Sequence, residues 1–184
     1  MTSVKSVKRI KDKKCRWCKE LFIPAQSMQV VCTPRCALAY SLKKKAKAFK
    51  ADTAVMKKAI KDKDRAYWIK KSQIAFNAYI RARDEKLPCI SCQRHHVGQY
   101  HAGHFRSIGA CAALRFCEKQ VWKQCAPCNN HLSGNIANYR INLVRILGAD
   151  EVERIENYNE IRRFTIDELK EIEAHYKAKL KELR

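Results

Sequence analysis

Residues 89–135 read CISCQRHHVGQYHAGHFRSIGACAALRFCEKQVWKQCAPCNNHLSGN. Two close pairs, Cys89-x2-Cys92 and Cys125-x2-Cys128, stand 32 residues apart. Four thiolates delivered as two pairs can meet at one tetrahedral ion, and a complete set of four leaves no open coordination position. The spacing therefore predicts a structural zinc ion that ties together the two ends of the insert. Five of the six histidines fall between 95 and 131: His95, His96, His101, His104 and His131. Clustering of this kind, inside and beside a zinc-clamped loop, marks the insert as the place for chemistry. Periodicity is weak, so short strands and one short helix near 126–133 are expected. Cys111 and Cys117 have no partner at ligand spacing and read as small apolar residues.

Upstream, Cys15-x2-Cys18-x13-Cys32-x3-Cys36 is a second set of four and predicts a second structural zinc. Leu21 to Ile23 should pair with Gln29 to Val31 as a hairpin, with Thr33-Pro34 turning into a helix. That describes a small zinc ribbon or treble-clef-like knuckle. The Lys-rich segment 1–14 reads as an arm. Residues 37–63 are rich in Ala and Lys and contain no Gly or Pro, which predicts a long exposed helix with a weak apolar stripe. Residues 65–86 form a second helix whose apolar face carries Trp68, Ile69, Ala75, Phe76, Tyr79 and Ile80, and Pro88 ends it.

Downstream, helices are expected over 138–148 and 150–157. Thr165-Ile166-Asp167-Glu168 matches a capping box that opens a terminal helix. Leu169, Ile172, Tyr176, Leu180 and Leu183 then make one stripe, read as a core face in preference to a dimer seam. A homodimer is the assembly that this stripe leaves open. The chain thus divides into an arm and knuckle (1–36), a basic helical region (37–86) and a zinc-clamped module with terminal helices (87–184). Its class is α+β, mainly helical.

Charge narrows the partner. The chain of 184 residues has a formal net charge of +21. Residues 1–86 hold 24 Lys/Arg against 7 Asp/Glu, and residues 87–184 hold 15 against 11. An excess so concentrated points to a polyanion. No apolar run approaches the ~18 residues needed to span a bilayer, so no membrane partner is expected. No signal peptide is visible, which argues for reduced thiols and metal binding over a disulfide framework. A zinc adaptor that uses its cysteines for recognition alone would not need the extra histidines.

His101-Ala102-Gly103-His104, followed by Cys125, Cys128-Asn129-Asn130-His131 and Ser133-Gly134-Asn135, resembles the layout of an HNH nuclease, the ββα-metal finger. More specifically, the chain resembles the NinG/Rap family of lambdoid phage recombination proteins. The resemblance runs through Cys32-Thr33-Pro34-Arg35-Cys36, Tyr67-Trp68-Ile69-Lys70, Arg83 to Cys92, Ala102 to Arg106, Leu114-Arg115-Phe116, Lys123-Gln124-Cys125, Cys128-Asn129, Ser133-Gly134-Asn135 and Tyr139-Arg140. It implies a zinc-clamped ββα-metal (HNH-like) module in a structure-specific endonuclease. The substrate class would be branched DNA, such as Holliday junctions and D-loops, and the setting the cytoplasm of the host cell.

The resemblance also implies roles. His104 is the general base, because an imidazole can take a proton from water near neutral pH. A divalent ion such as Mg²⁺ or Mn²⁺ would neutralise charge at the phosphate. His101 stands as one of its ligands, and Asn129 and His131 compete for the ligand position on the helix. Arg106 and Arg115 are candidates for the scissile phosphate, which a guanidinium matches in a bidentate way. Asn135 reads as helping to end the helix after Gly134. The family usually has Asp in place of His101, and the middle Asn of the HNH pattern falls at Gln120. Those two departures favour an alternative, a branched-DNA-binding protein of the same fold with weak or no cleavage.

Overall fold

In the computed structural model, which describes residues 11–183, the chain folds as two units, one up to Ile60 and one from Lys61 onward. The division falls inside the basic helical region expected over 37–86. Most of the arm read over 1–14, up to Ile10, lies outside the described residues.

The first unit is built around its cysteines. Cys15 N donates to Glu20 O (2.8 Å) and Lys19 N to Cys15 O (3.0 Å), closing a tight knuckle at the first pair. The arms of that knuckle pair as two short antiparallel strands, β1 (Lys13–Lys14) and β2 (Leu21–Phe22). This corrects the expected hairpin. Residues 29–31 do not pair with 21–23. Gln29 folds back on its own loop instead, accepting from Ala25 N and donating to Val31 O, and Val30 O takes its bond from Arg16 N.

Thr33 then caps a 29-residue helix, α1 (Pro34–Asp62), with Oγ1 accepting from Cys36 N at 3.2 Å. Pro34 at the first helical position suits its fixed φ. The helix starts at Pro34, at the expected turn of Thr33-Pro34, so Cys36 sits in its first turn. No residue of α1 is buried.

The second unit opens with Asp64 as N-cap of α2 (Arg65–Arg83), Oδ1 accepting from Ala66 N at 2.8 Å. The buried face of α2 carries Trp68, Ala75, Phe76, Tyr79 and Ile80, as its periodicity required. Asp84 ends the helix and is itself buried. Its carboxylate accepts from the Arg83 guanidinium and from Lys123 N (2.9 Å), joining the helix end to the next strand pair.

That pair is the hairpin β3 (Tyr100–His104) and β4 (Val121–Cys125), antiparallel, with His101 opposite Gln124 and His104 opposite Val121. The connection 105–120 carries two short 3₁₀ turns, at Ala112–Leu114 and Glu118–Gln120. β4 runs into one wide helical turn, Pro127–His131, closed by Leu132 N to Pro127 O (3.1 Å). This i→i+5 turn replaces the ordinary helix expected near 126–133. Helices α3 (Ile136–Leu147) and α4 (Ala149–Asn157) follow, separated by Gly148 at φ 86°. Thr165 and Glu168 form the expected capping box of α5 (Ile166–Glu182).

Three apolar cores hold this unit, the smallest being Trp68, Phe164 and Leu169 between the start of α2 and α5. Ile90, Phe105, Leu114, Tyr139, Leu143 and Val152 fill another, between the connection, α3 and α4. Phe76, Ile80, Val121 and Tyr176 fill the third, between α2, α5 and the hairpin. The stripe of α5 is therefore a core face. Leu169 and Tyr176 are buried and Tyr176 packs edge-on against Phe76 at 4.8 Å, whereas Leu183 lies beyond the contact and is exposed. Among the described residues, no helix is long and apolar enough to cross a membrane.

Candidate functional site

Both cysteine sets converge. Within each, the four Sγ atoms lie within 4.8 Å of one another. Neighbouring sulfurs are 3.5 Å apart for Cys18–Cys32 and Cys32–Cys36 and 3.9 Å for Cys92–Cys125. Four sulfurs on a tetrahedral zinc at a bond length of ~2.3 Å would stand about 3.8 Å apart. All eight cysteines are free thiols. Size, shape and donor type therefore fit two zinc ions.

The electrostatics agree with that fit. Burial pushes the Cys15 thiol up, but backbone N–H groups of Cys32, Trp17 and Cys18 outweigh it and hold the thiol at about 6. Its neighbours Cys18 and Cys36, then burial, push Cys32 up to about 12. In the second set burial raises Cys89, yet N–H groups of Cys125, Cys92 and Ser91 leave it lowered, while burial and the facing thiols raise Cys125. In each cluster one thiol is set to ionise before its raised neighbours, and a zinc ion would favour the thiolate form of all four. Around the second set, Asn135 Nδ2 donates to Cys128 Sγ at 3.6 Å, and His96 Nε2 stands 3.1 Å from Cys92 Sγ. Asn135 thus supports the cluster in addition to leading into α3.

Beside the second cluster lies an open cleft of about 570 Å³. Ala102, His104, Phe105 and Arg106 line one side, and Asn129 and Gly134 line the other. The sulfur clamp explains the juxtaposition. Cys128 is drawn into the cluster, so the wide turn that begins at Pro127 is bent back toward β3 with Asn129 at the cleft. Gly103 leaves room for Gln124 on the face of the strand opposite His104. The Gln124 side chain crosses the glycine, and a Cβ at 103 would stand 2.2 Å from Gln124 Oε1. Gln124 Nε2 donates to Ser91 Oγ and to Gly134 O, tying β4 to both sides of the clamp.

The His104 Nε2 lies 3.0 Å from Arg115 O, and a carbonyl only accepts, so this contact favours the tautomer with the proton on Nε2 and the lone pair on Nδ1. Burial lowers the pKa, the carbonyls of Arg115 and Ala102 oppose that, and the Arg115 guanidinium lowers it again; the balance is downward. The shift favours the neutral ring, the form that can accept a proton.

Other site candidates land elsewhere. On a strand, side chains alternate between faces, so His101 and His104, three residues apart, project to opposite sides of the hairpin. His101 does not line the cleft; its Nε2 is buried without a hydrogen-bond partner among the described residues. Of the two residues competing on the turn, Asn129 reaches the cleft and His131 stands exposed outside it. Asn129 Nδ2 donates to Asn130 Oδ1 at 2.9 Å, which leaves Asn129 Oδ1 as an open oxygen donor. Arg106 lines the cleft but its guanidinium is engaged, bonding Ile155 O (3.1 Å), Tyr158 O and Asn159 Oδ1 (3.2 Å) at the end of α4. Arg115 does not line the cleft, and Nη1 donates to Gln73 Oε1. Its carbonyl holds His104, while its guanidinium acts on that ring only through its charge.

Gln120, read from the sequence as the middle residue of an HNH pattern, makes no side-chain hydrogen bond to His104 among the described residues. It is fully buried, with Nε2 donating to Leu114 O (2.9 Å) and Oε1 accepting from Arg106 N (2.8 Å). Holding Leu114 holds the next residue, whose carbonyl sets the histidine. Only its place five residues before Cys125 hinted at this.

A model of the family described as "Bacteriophage Lambda NinG protein" matches residues 7–184. The chain is similar to "Protein ninG" of Escherichia phage 933W, 41% identical over 190 residues that cover 94% of each chain. It is 40% identical to "Protein ninG" of Escherichia phage lambda, over 91% of this chain and 90% of that one. The counterpart of Salmonella phage P22 is 40% identical over 96% of this chain and 94% of its own. No solved structure matches the chain.

Proposed function

We propose, from the premise that this chain belongs to the NinG family of bacteriophage proteins, that it is an endonuclease acting on branched DNA, with an HNH-like site formed by the β3–β4 hairpin and the turn at 127–131. One observation carries the reading. A half-buried histidine held at Nε2 by a backbone carbonyl and an asparagine line a single open cleft, and a cluster of four thiols braces the turn that brings them together.

The chemistry follows from that geometry. Phosphodiester hydrolysis needs a base within reach of water at the scissile phosphate. His104 supplies Nδ1, while Nε2–H stays bonded to Arg115 O. As the ring takes a proton, the new positive charge is stabilised by the same carbonyl. Gln120 keeps that carbonyl in place through Leu114. The donor set for a divalent ion is sparse, one neutral oxygen on Asn129 and no carboxylate, and it fits Mg²⁺ or Mn²⁺ only with water and a substrate phosphate completing the shell. Such an ion supplies charge neutralisation at the phosphate. Affinity would come from the basic surface and fall steeply with salt, depending on junction shape more than on base sequence.

The sparse donor set and the placement of His101 favour a second reading, a branched-DNA-binding protein that cleaves poorly. A fluorescent four-way junction incubated with Mg²⁺, Mn²⁺ or Ni²⁺ separates the two. Cleavage by the native chain, lost by roughly 10²–10⁴-fold in His104→Ala with binding retained, is the expected result. Full activity in His104→Ala overturns the HNH reading. Binding without cleavage in any of the three metals selects the second.

A further inference from the structure

Helix α1 spans 29 residues and buries none of them. An isolated helix gains most of its stability by packing an apolar face, so an unpaired face on a helix of this length calls for an occupant. The face is not random. Ala39, Leu42, Ala46, Phe49, Thr53, Met56 and Ile60 follow one another in steps of 3, 4, 3, 4, 3 and 4. That is a strict heptad seam, with Leu42, Phe49 and Met56 at one of its two positions. The exposures of Leu42, Phe49, Met56 and Ile60 are 57%, 72%, 67% and 70%. Immediately after each residue of that position stands a lysine, Lys43, Lys50 and Lys57, so the flank next to the seam is a column of positive charge.

We infer that this face of α1 docks an acidic amphipathic helix of another polypeptide. Charge complementarity selects the occupant. In a coiled coil the columns beside the seam meet the matching columns of the partner and set its identity. A second copy is a poor match. Antiparallel copies would oppose the three lysines to one another, and parallel copies would set Lys45 against Lys50 of the other chain, offset by Asp52 against Lys57. Between Pro34 and Asp62 the helix holds nine Lys/Arg against two Asp, so self-pairing leaves a net repulsion that an acidic partner would turn into attraction. A nucleic-acid backbone would satisfy the lysines but offers nothing to the apolar seam. An acidic helix with apolar residues in heptad register satisfies both. The inference is independent of the cleft and its chemistry.

The test uses the full chain with zinc present and three synthetic helical peptides of about four heptads. One has Leu/Ile at the seam and Glu at the flanks. The second keeps the seam but has Lys at the flanks. The third keeps the Glu but has Ser at the seam. Fluorescence anisotropy should show saturable binding of the first peptide alone. Phe49→Asp with Met56→Asp should weaken it by roughly tenfold or more, with zinc content and helicity unchanged. Charge reversal at Lys43, Lys50 and Lys57 to Glu should exchange the preference, so that the Lys peptide binds and the Glu peptide does not. Equal binding of the Ser-seam peptide would overturn the inference, because the attraction would then be charge alone. Sedimentation showing self-association of the free chain that Phe49→Asp with Met56→Asp abolishes would assign the face to a second copy instead. Loss of four-way-junction binding in that double variant would assign it to DNA.

Discussion

The two cysteine clusters begin with the same piece of backbone and end in different surroundings. After each first pair a non-glycine residue adopts the left-handed region, Lys19 at φ 70° and Gln93 at φ 57°. Each donates its N–H to the first cysteine of its pair, at 3.0 and 2.9 Å. In both clusters the third cysteine donates N–H to the first sulfur, at 3.4 Å. There the likeness stops. The N-terminal set finishes on the first turn of α1, among exposed Leu21, Ile23 and Met28. The other finishes on a strand and a wide turn, with Cys89, Cys125 and Cys128 buried and the buried Asn142 bonding Ile90 O and Ser91 O at 2.8 and 3.1 Å. One local motif is thus nearly the whole fabric of its unit in one place and a clamp within a packed core in the other. What a metal contributes depends on what it is joined to.

The largest expected effect tests that difference directly. Cys125→Ala should dissolve the hairpin and the cleft, because a structural zinc contributes on the order of 10 kcal/mol of folding free energy where it closes a small module. Cys32→Ala should lose one of two zinc ions and leave the thermal transition of residues 61–184 in place. Metal analysis with near-ultraviolet circular dichroism reads both. A shared collapse would mean that the clusters are not separable.

A smaller effect probes what the second clamp positions. In Gly103→Ala the new Cβ would meet Gln124 Oε1 at 2.2 Å and its Cβ at 2.9 Å. Gln124 would have to give up its bonds to Ser91 and Gly134. The cost should be about 1–3 kcal/mol in thermal unfolding, with zinc content still two per chain. An unchanged melting temperature would show that the strand can shift without loss.

The third effect is pH-dependent. Burial lowers the pKa of His104, so the unfolded chain binds more protons than the folded one between the two values. Stability from this group is present above the ordinary histidine pKa of ~6.5 and is lost as pH falls through the lower folded value. His104→Gln should flatten that part of the curve when measured by denaturant unfolding in zinc-saturating buffer. A wild-type slope retained in the variant would locate the titration elsewhere, and the thiols are the nearest alternative.

The smallest effect separates the other cysteines from the metal sites. Cys111 is buried with Phe105, Leu114 and Tyr139, in neither sulfur cluster. Cys111→Ala removes one sulfur from an apolar core and should cost about 1 kcal/mol or less, with two zinc ions retained.

Much of this architecture was legible in the residues. Cysteine pairs two or three residues apart announce a chelate, since the chain between them is too short to place them elsewhere. The capping box at Thr165 and the apolar periodicity of α2 are settled within a few residues, and the structure follows both. The cleft was legible in part. Its histidine and the Asn129 position came with the family resemblance, but the side chains beside them did not. Nothing near Arg106 in the chain says that Ile155, Tyr158 and Asn159 will take its guanidinium. The opposite faces of His101 and His104 were available in principle, because three residues on a strand always invert direction. That reading required knowing that 100–104 is a strand.

The sequence alone thus determined the four cysteine pairs, the helical periods and the caps, all features whose physics acts over one or two turns of chain, and the positive charge of the first half. Only the tertiary structure decided which carbonyl holds His104, which face of the hairpin opens to the cleft, and that β2 pairs with Lys13–Lys14 instead of residues 29–31. The strand pairing and the His104 contact join groups 7 to 11 residues apart, and the Arg106 guanidinium reaches a carbonyl 49 residues on. Loop closure costs little more for one distant partner than for another, so packing and hydrogen-bond satisfaction across the folded unit make the choice.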